Sequence, residues 1–272
     1  MSLSVVIVTF NSADVVAHAL QSIPQGHEII VVDNASGDDS ARIAETMRAR
    51  VLRLGENLGF GTACNRGAAV ASHDGILFLN PDARLRPDTL DLLECAMGAA
   101  SEAGAFVPRL IHPDGWEHFQ GRNPFVDRRA WVHEAPQSDC DVPMGIGAAL
   151  LVRKDVFERL GGFDESIFLF FEDVDLSARI INAGYTIRYV HDAAVDHMIG
   201  ASSGKGDDLL EFKNYHFQRA LLQMDRKYGR RENRGRHIAS QLAKLTLAHL
   251  CCNRRRVRMA RGRLRALRER DR

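Results

Sequence analysis

The chain opens on an unbroken apolar and β-branched run, Val5-Val6-Ile7-Val8-Thr9-Phe10. A run without polar alternation is what a strand buried on both faces requires. Asn11-Ser12 then offers caps for a helix running to about Ile23. Glu28 to Asp33 repeats the buried-strand pattern, and a helix is predicted over about 38–49. A short strand follows at Val51-Leu52-Arg53-Leu54, then a small-residue-rich helix over 60–72. Ile76-Leu77-Phe78-Leu79 is the next strand, closed by Asn80-Pro81-Asp82, and Pro87 marks the start of a helix over Asp88–Ala100. This alternation is a βαβαβ series. It predicts an α/β fold, a doubly wound and mostly parallel central sheet flanked by helices. No internal repeat is evident.

The pattern loosens from Phe106 to about Pro143, which reads as connecting loops and short strands around Trp116 and Trp131. Met144–Val152 is predicted as another buried strand. Glu172–Asn182 reads as a helix with an acidic first turn, stopped by Gly184, and Ile187-Arg188-Tyr189-Val190 as a returning strand. A helix is predicted over Leu209–Tyr228, and one long basic helix or two beyond Gly235.

Composition adds an asymmetry to this picture. Lys+Arg number 36 against 35 Asp+Glu, and 45% of residues are hydrophobic, which excludes collagen-like and mostly disordered classes. Residues 226–272, however, hold 17 Lys/Arg and three acids, leaving residues 1–225 net acidic. We expect a domain over 1–225 and a basic C-terminal helical extension over 226–272. Ile238, Leu242, Leu245 and His249/Cys252 share one helical face of it, with Leu247 and Leu250 beside it. That stripe beside basic side chains favours an anionic membrane surface as partner; packing on the body or a disordered basic end stays open. Nucleic acid is disfavoured, because the body carries no nucleic-acid fold signature. No stretch of 18 apolar residues predicts a membrane span, and Met1-Ser2-Leu3-Ser4 does not read as a signal peptide. The five cysteines are odd in number and form no C-x-x-C pair, which argues against a disulfide framework or zinc ribbon and for a reducing cytosol.

Candidate chemistry sits where open parallel sheets bind ligands, at the carboxyl ends of the strands. Asp33, Asn80-Pro81-Asp82 and Glu172-Asp173 stand there. Each has a plainer reading: an Asx turn, a turn into the next helix, and acids favoured by a helix N-terminus. Their recurrence after buried strands favours a polar site. Gly59-Phe60-Gly61 begins a dinucleotide fingerprint that fails at Cys64, and there is no phosphate loop of the triphosphatase kind. Gly200-Ala201-Ser202-Ser203-Gly204 matches a hydrolase elbow but lacks the strand before and helix after it, so it reads as a mobile loop closing over substrate.

Taken in series, the segments VVIVTFNS (5–12), IIVVDNASGDDS (29–40), ENLGFGTACNRG (56–67), ILFLNPDARL (76–85), IGAALLVRKDVFERLGGFDESIFLFFEDVDLSARIINAGY (146–185) and VDHMIGASSG (195–204) resemble family 2 of the nucleotide-sugar glycosyltransferases, of GT-A fold, and most closely its bacterial rhamnosyltransferase branch. The resemblance implies that Thr9 and Asn11 flank the nucleotide pocket, that Asp33 holds the base or ribose, and that Asn57, Gly59, Asn65 and Asn80 line the donor site. It implies Asp82 as ligand of a divalent cation (Mg2+ or Mn2+), with His197 completing the metal shell or standing as a structural histidine. Asn80 occupies the place of the first acid of the family's Asp-x-Asp motif and weakens the metal expectation. Asp173 is implied as general base, and Glu172 takes an acceptor-binding or capping role.

The implied reaction is inverting transfer of a hexose or deoxyhexose, rhamnose from dTDP-rhamnose, to a hydroxyl of a cell-surface glycan precursor. The acceptor would be carried on a polyprenyl diphosphate lipid, and the enzyme would sit on the inner face of the cell membrane. Two other classes compete. A nucleotidyltransferase would need a basic loop near residues 9–20, which hold no Lys or Arg. An inactive nucleotide-sugar-binding homologue would suit Asn80 but not the joint presence of Asp33, Asp82, Asp173 and His197.

Overall fold

In the computed structural model of the chain the described residues are 2–198, 200, 207–231 and 234–269. The first half runs β1 (Ser4–Thr9), α1 (Val16–Gln21), β2 (Glu28–Asp33), α2 (Ser40–Thr46), β3 (Arg50–Arg53), α3 (Phe60–Ala68), β4 (Gly75–Leu79), β5 (Ala83–Leu85), α4 (Thr89–Ala99) and β6 (Ala103–Ile111). Then come β7 (Cys140–Asp141), β8 (Ala149–Arg153), α5 (Lys154–Arg159), α6 (Glu172–Asn182), β9 (Thr186–His197), α7 (Asp207–Lys227), α8 (Arg234–Leu250) and α9 (Arg254–Arg268). Among the described residues the strands form one sheet in the order β3-β2-β1-β4-β8-β6-β9-β5, with β7 paired to β9.

Residues β3 through β4 of that order are parallel, as the βαβ pattern predicts. Beyond β4 the sheet is mixed: β8 lies antiparallel between β4 and β6, and β6 pairs parallel with β9. Alternate side chains of the apolar strands enter two cores. Val5, Ile7, Val31 and Leu77 pack under α1, α2 and α4. Val6, Val8, Ile30, Val32 and Phe78 pack under α3, α5 and α6. The small residues of α3 have a reason here, since a Cβ on Gly67 would lie 2.4 Å from Val6 Cγ1. Only a helix this lean can lie so close to β1.

Several boundaries differ from the sequence reading. The helix capped at Asn11-Ser12 begins only at Val16, because the Ser12 carbonyl first accepts the N–H groups of Val15 and Val16 in a turn. The strand expected from Met144 begins at Ala149. Residues 144–148 are a loop whose Gly145 N–H donates to Ser177 Oγ and whose Gly147 N–H donates to Asp173 Oδ2. The segment read as irregular from Phe106 onward begins with a nine-residue strand, β6, set between β8 and β9. Pro108 disguised it, since proline has no N–H for a ladder. The fold accommodates it with a register shift against β9 between Pro108 and Arg109.

The chain divides into two compact units. The first comprises the residues up to Glu165 and those from Glu172 through β9. The second comprises Ser166–Phe171 and the C-terminal helices. The boundary expected at residue 225 falls inside α7, which runs unbroken from Asp207 to Lys227. Charge changes sign there but the backbone does not change course. Within the second unit α9 packs on α7 so closely that a Cβ on Gly262 would meet the Glu211 carbonyl oxygen at 2.2 Å. Phe168, Phe170 and Phe171 contribute rings that meet Phe212, His216 and Phe217 of α7. The expected apolar stripe of α8 is redistributed: Gln241 and Ala248 are buried, while Leu242, Leu247 and Leu250 are exposed. The closing loop expected at 200–204 lies, from 201 on, outside the described residues. No helix among the described residues is long and apolar enough to cross a membrane.

Candidate active site

Strands buried on both faces leave polar side chains only at their ends, and the first cluster lies there. Thr9 and Asp33 end β1 and β2 and are paired in register. Thr9 Oγ1 donates to Asp33 Oδ1 at 3.1 Å, and Asp33 Oδ2 accepts from Ser36 N–H at 3.2 Å. Asn11 adopts a positive φ of 55° and its Oδ1 accepts from Gly37 N–H at 2.8 Å. Its own N–H donates to Ser36 Oγ at 3.0 Å, so the β1–α1 and β2–α2 loops are stapled together.

Asn34, read in the sequence only as part of a turn, is the buried organiser of the next rim. Its amide nitrogen donates to Asn57 Oδ1 at 2.9 Å and to the Gly59 carbonyl at 3.2 Å, while its Oδ1 accepts from Leu58 N–H at 2.9 Å. Asn57 Oδ1 also accepts from Gly59 N–H at 3.0 Å. Gly59 has φ 87° and ψ 170° as it leads into α3, a conformation that other residues reach only with strain. Asn65 is not part of this rim. Its Nδ2 donates to the Phe163 carbonyl and to Glu165, and its Oδ1 accepts from Phe163 N–H. The residue placed at the donor site by resemblance thus has its amide spent on holding α3 to the loop after α5.

Asn80 and Asp82 follow β4. Asn80 is half-buried, and its backbone N–H donates to the Ala148 carbonyl at 2.9 Å. Asp82 is buried and brought to His197 by the β5–β9 pairing, in which Ala83 faces His197. His197 Nε2 lies 3.4 Å from Asp82 Oδ1. His197 Nδ1 is buried without a hydrogen-bond partner. The parallel ring of His118 lies 6.3 Å away, its Nδ1 likewise buried and unpartnered. Burial, and then His197, hold the His118 pKa below the usual imidazole value. His118 was not legible because its segment carried no strand pattern.

One carboxylate oxygen and one imidazole nitrogen this close suit a divalent cation. Among the described residues no group of three His, Cys, Asp or Glu completes a cage. The pair alone offers two ligands, so a divalent cation held there would take the rest from outside the described residues.

The acidic pair opens α6. The chain enters this helix through Phe170 and Phe171, both left-handed at φ 68° and 70°. Bulky residues there cost about 1–3 kcal/mol each, a strain that collects at functional sites. Asp173 is half-buried; its Oδ2 accepts from Gly147 N–H at 2.9 Å and its Oδ1 from Val174 N–H at 2.8 Å. A helix N-terminus by itself favours the ionised form of Asp173. Burial outweighs that and raises its pKa, although the backbone hydrogen bonds pull the other way. Glu172 is buried, with Oε2 lacking a hydrogen-bond partner, and lies against Gly61 and near Cys64 of α3. Burial, and then the neighbouring Asp173, push its pKa up to about 8. The third acid, Asp175, is structural: it pairs with Arg179 at 2.7 Å inside the helix.

The family model of glycosyl transferase family 2 matches residues 4–161. The chain is 30% identical over 263 residues to N-acetylglucosaminyl-diphospho-decaprenol L-rhamnosyltransferase of Mycobacterium tuberculosis, covering 84% of this chain and 85% of that protein. It is 28% identical to dTDP-rhamnosyl transferase RfbF of Shigella flexneri, covering 74% and 70%. Among solved structures, S. aureus TarS 1–349 in complex with UDP-GlcNAc superposes with a TM-score of 0.58 at 16% identity, covering 97% and 92%. Mannosyltransferase PcManGT from Pyrobaculum calidifontis, in complex with GDP-Man and Mn2+, gives 0.61 at 19% identity, covering 97% and 85%. At such identities the structures show the fold alone, the GT-A arrangement expected from the motifs.

The buried Glu172 makes a pH prediction. Its folded-state pKa is raised from 4.5 to about 8, so the folded chain keeps a proton that the unfolded chain has lost. That contribution to stability is complete below about pH 4.5 and is lost as pH rises through 8. Glu172→Gln should match wild type in urea unfolding near pH 4 and exceed it by at least about 1 kcal/mol at pH 8.5. A variant no more stable than wild type at the higher pH would contradict a protonated, buried Glu172.

Proposed function

The chain belongs to glycosyl transferase family 2, and from that premise we propose that it is an inverting rhamnosyltransferase. The proposed donor is dTDP-rhamnose, and the proposed acceptor is a hydroxyl of a lipid-linked glycan precursor. Both substrate assignments are supported by what the relatives' names state of those proteins. The observation that carries the mechanism is Asp173, a half-buried carboxylate aimed by two backbone N–H groups, with its pKa raised by burial.

In this reading Thr9, Asn11 and Asp33 take the nucleoside, and Asn57, Gly59 and Asn80 complete the donor rim. Asp82 and His197 would hold a divalent cation, which supplies Lewis-acid stabilisation to the diphosphate when bound. The acceptor hydroxyl is a poor nucleophile at its ordinary pKa. Asp173 takes its proton as the bond to the anomeric carbon forms, an effect worth roughly 10²–10⁴-fold. A raised pKa makes the carboxylate a stronger base, which suits that step. Glu172, protonated at neutral pH, removes a second negative charge from beside it. A single base opposite the leaving group means one in-line displacement and inversion, by the logic of inverting hydrolases.

We place the protein on the inner face of the cell membrane through its second unit. The α8–α9 corner exposes Leu247 and Leu250, then Arg254, Arg255 and Arg256. An apolar tip with a basic collar suits an anionic leaflet, where each basic residue contributes about 1 kcal/mol.

Three outcomes test this reading. Asp173→Asn keeps the shape and loses the basicity, so it should leave donor affinity within a few-fold and cut transfer by about 10²-fold or more. Calorimetric titration of the donor beside a nucleoside diphosphate release assay reads both; near wild-type transfer would reassign the base. Asp82→Ala should abolish the Mn2+-dependent part of donor binding in the same titration, and excess chelator should reproduce that loss in wild type. Full donor affinity under chelation would move the phosphate charge onto the protein alone. Finally, the protein should float with phosphatidylglycerol vesicles and not with phosphatidylcholine, while Leu247→Asp/Leu250→Asp stays at the bottom of the gradient. Flotation of that double variant would remove the corner from the membrane contact.

A further inference from the structure

The Asp173 carboxylate is held by two N–H groups of different kinds. Val174 N–H, which donates to Oδ1, belongs to the next residue of the same helix and moves wherever Asp173 moves. Gly147 N–H, which donates to Oδ2 at 2.9 Å, comes from the loop that precedes β8. Of the two, only the second ties the carboxylate to another part of the sheet edge. Its aim therefore depends on where that loop is pinned.

The loop is short and pinned at both ends. At its far end the Ala148 carbonyl accepts from Asn80 N–H at 2.9 Å, a backbone bond to the end of β4. At its near end Gly145 N–H donates to Ser177 Oγ at 3.1 Å. Residue 145 has no room for a side chain: a Cβ there would lie 2.5 Å from Leu150 Cδ1 and 2.8 Å from Val107 Cγ1. The backbone of Gly145 is thus pressed into the core, and its N–H needs an acceptor there. Between the pins stand only Ile146 and Gly147, turned by the bond from Ala149 N–H to the Ile146 carbonyl. Gly147 lies close against the acid, a Cβ on it being 3.5 Å from both Asp173 Cβ and Oδ2.

Ser177 stands four residues after Asp173 on α6, so the two side chains leave the same face one turn apart. It is 1% exposed, so it touches no substrate and can act only through what it holds. A serine inside a helix gains nothing over alanine in helix propensity. Here its hydroxyl is spent on the loop that carries the N–H to Asp173.

We propose that Ser177 is a positioning residue of the transfer reaction: by holding Gly145 it sets the loop so that Gly147 N–H aims the Asp173 carboxylate. The inference rests on the reading of Asp173 as the base. Without the hydroxyl the near end of the loop is released, and Gly147 N–H leaves Oδ2. That bond favours the charged carboxylate, so its loss raises the Asp173 pKa beyond what burial already does. The titratable groups around it, Glu172 on α6 and Cys64 of α3 beside Glu172, are kept in every variant compared.

Carboxyl-region NMR of the full chain carrying isotope-labelled aspartate reads this without any substrate, the Asp173 signal being the one missing from Asp173→Asn. Ser177→Ala should move its midpoint up by about half a pH unit or more, while Ser177→Thr, which keeps the hydroxyl, should stay near wild type. Thermal unfolding checks that the variants fold. Should alanine fail to fold, Ser177→Cys takes its place, and its weak sulfur acceptor should shift the midpoint in the same direction. A merely structural serine would lower the melting temperature and leave the midpoint where it was, and that result overturns the proposal. Transfer from dTDP-rhamnose to a synthetic N-acetylglucosaminyl diphosphoprenol, followed against pH, gives the kinetic counterpart. The Ser177→Ala loss should be about three-fold or more on the acid side and shrink as pH rises, with donor affinity within about two-fold of wild type. If Asp173→Asn transfers at the wild-type rate, the base reading falls, while the titration still decides whether Ser177 aims Asp173. If Asp173→Asn is inactive and folded Ser177→Ala keeps the wild-type midpoint, the role of Ser177 falls alone.

Discussion

The two-sided burial of β1, β2 and β4 is the constraint from which the rest follows. Val5 to Val8, Ile30 to Val32 and Ile76 to Leu79 send alternate side chains into two separate cores, so neither face tolerates a polar group. Polarity is displaced to the carboxyl ends, and Thr9, Asp33 and Asn80 are the first positions free to carry it. β8 then adds the acid. Lying antiparallel beside β4, it brings its preceding loop to the same edge, where the Ala148 carbonyl meets Asn80 N–H and Gly147 N–H meets Asp173. A parallel strand in that place would have brought its following loop there instead, and Asp173 would need another anchor.

The acidic pair shows how adjacent carboxylates are kept from acting alike. Both are pushed toward the neutral form by burial, but only Asp173 receives the N–H groups of Gly147 and Val174. Glu172 Oε2 has none, and the Glu172 side chain packs at its Cβ against Gly61 of α3. The donors therefore favour negative charge on Asp173 over Glu172. Two residues of one chemical type are thus given different environments by their hydrogen-bond donors.

The N-terminal elements were legible because their residues obey one rule each: unbroken apolar runs for the strands, small residues for a helix pressed against them. Asp33, Asp82 and Asp173 were legible as the polar residues that end or follow such runs. What escaped depended on partners distant in sequence. β6 carries Pro108, and only its register shift against β9, some 80 residues on, makes that residue acceptable. Asn65 has the same composition signal as Asn57, yet its amide is taken by Phe163 and Glu165, nearly 100 residues away. His118 sits in a stretch without periodicity and acquires meaning only through the ring of His197.

The basic C-terminal end shows the same limit from the side of charge. Counted along the chain it is a block of like charges, a pattern that suggests a solvated or lipid-seeking tail. Folded, part of that charge is already engaged. Arg258 lies 3.3 Å from Glu211, Arg263 donates to Asn214 and covers the ring of Phe217, and Arg265 pairs with Glu269 over Tyr215. These contacts line the seam where Gly262 lets α9 approach α7. The arginines of that seam are packing residues with charged ends, and their stems cover apolar surface. Exposed arginines stand together at Arg254 to Arg256, after the exposed Leu247 and Leu250 of α8, and further exposed cations lie at Arg236, Lys244 and Arg261. Attachment there would depend on a small apolar tip and a few cations acting together, so it would weaken with salt but not vanish. A purely electrostatic tail carrying all 17 basic residues would instead release at moderate ionic strength. The fold thus turns what looks like a tail into a packed helical unit with an exposed apolar and basic corner.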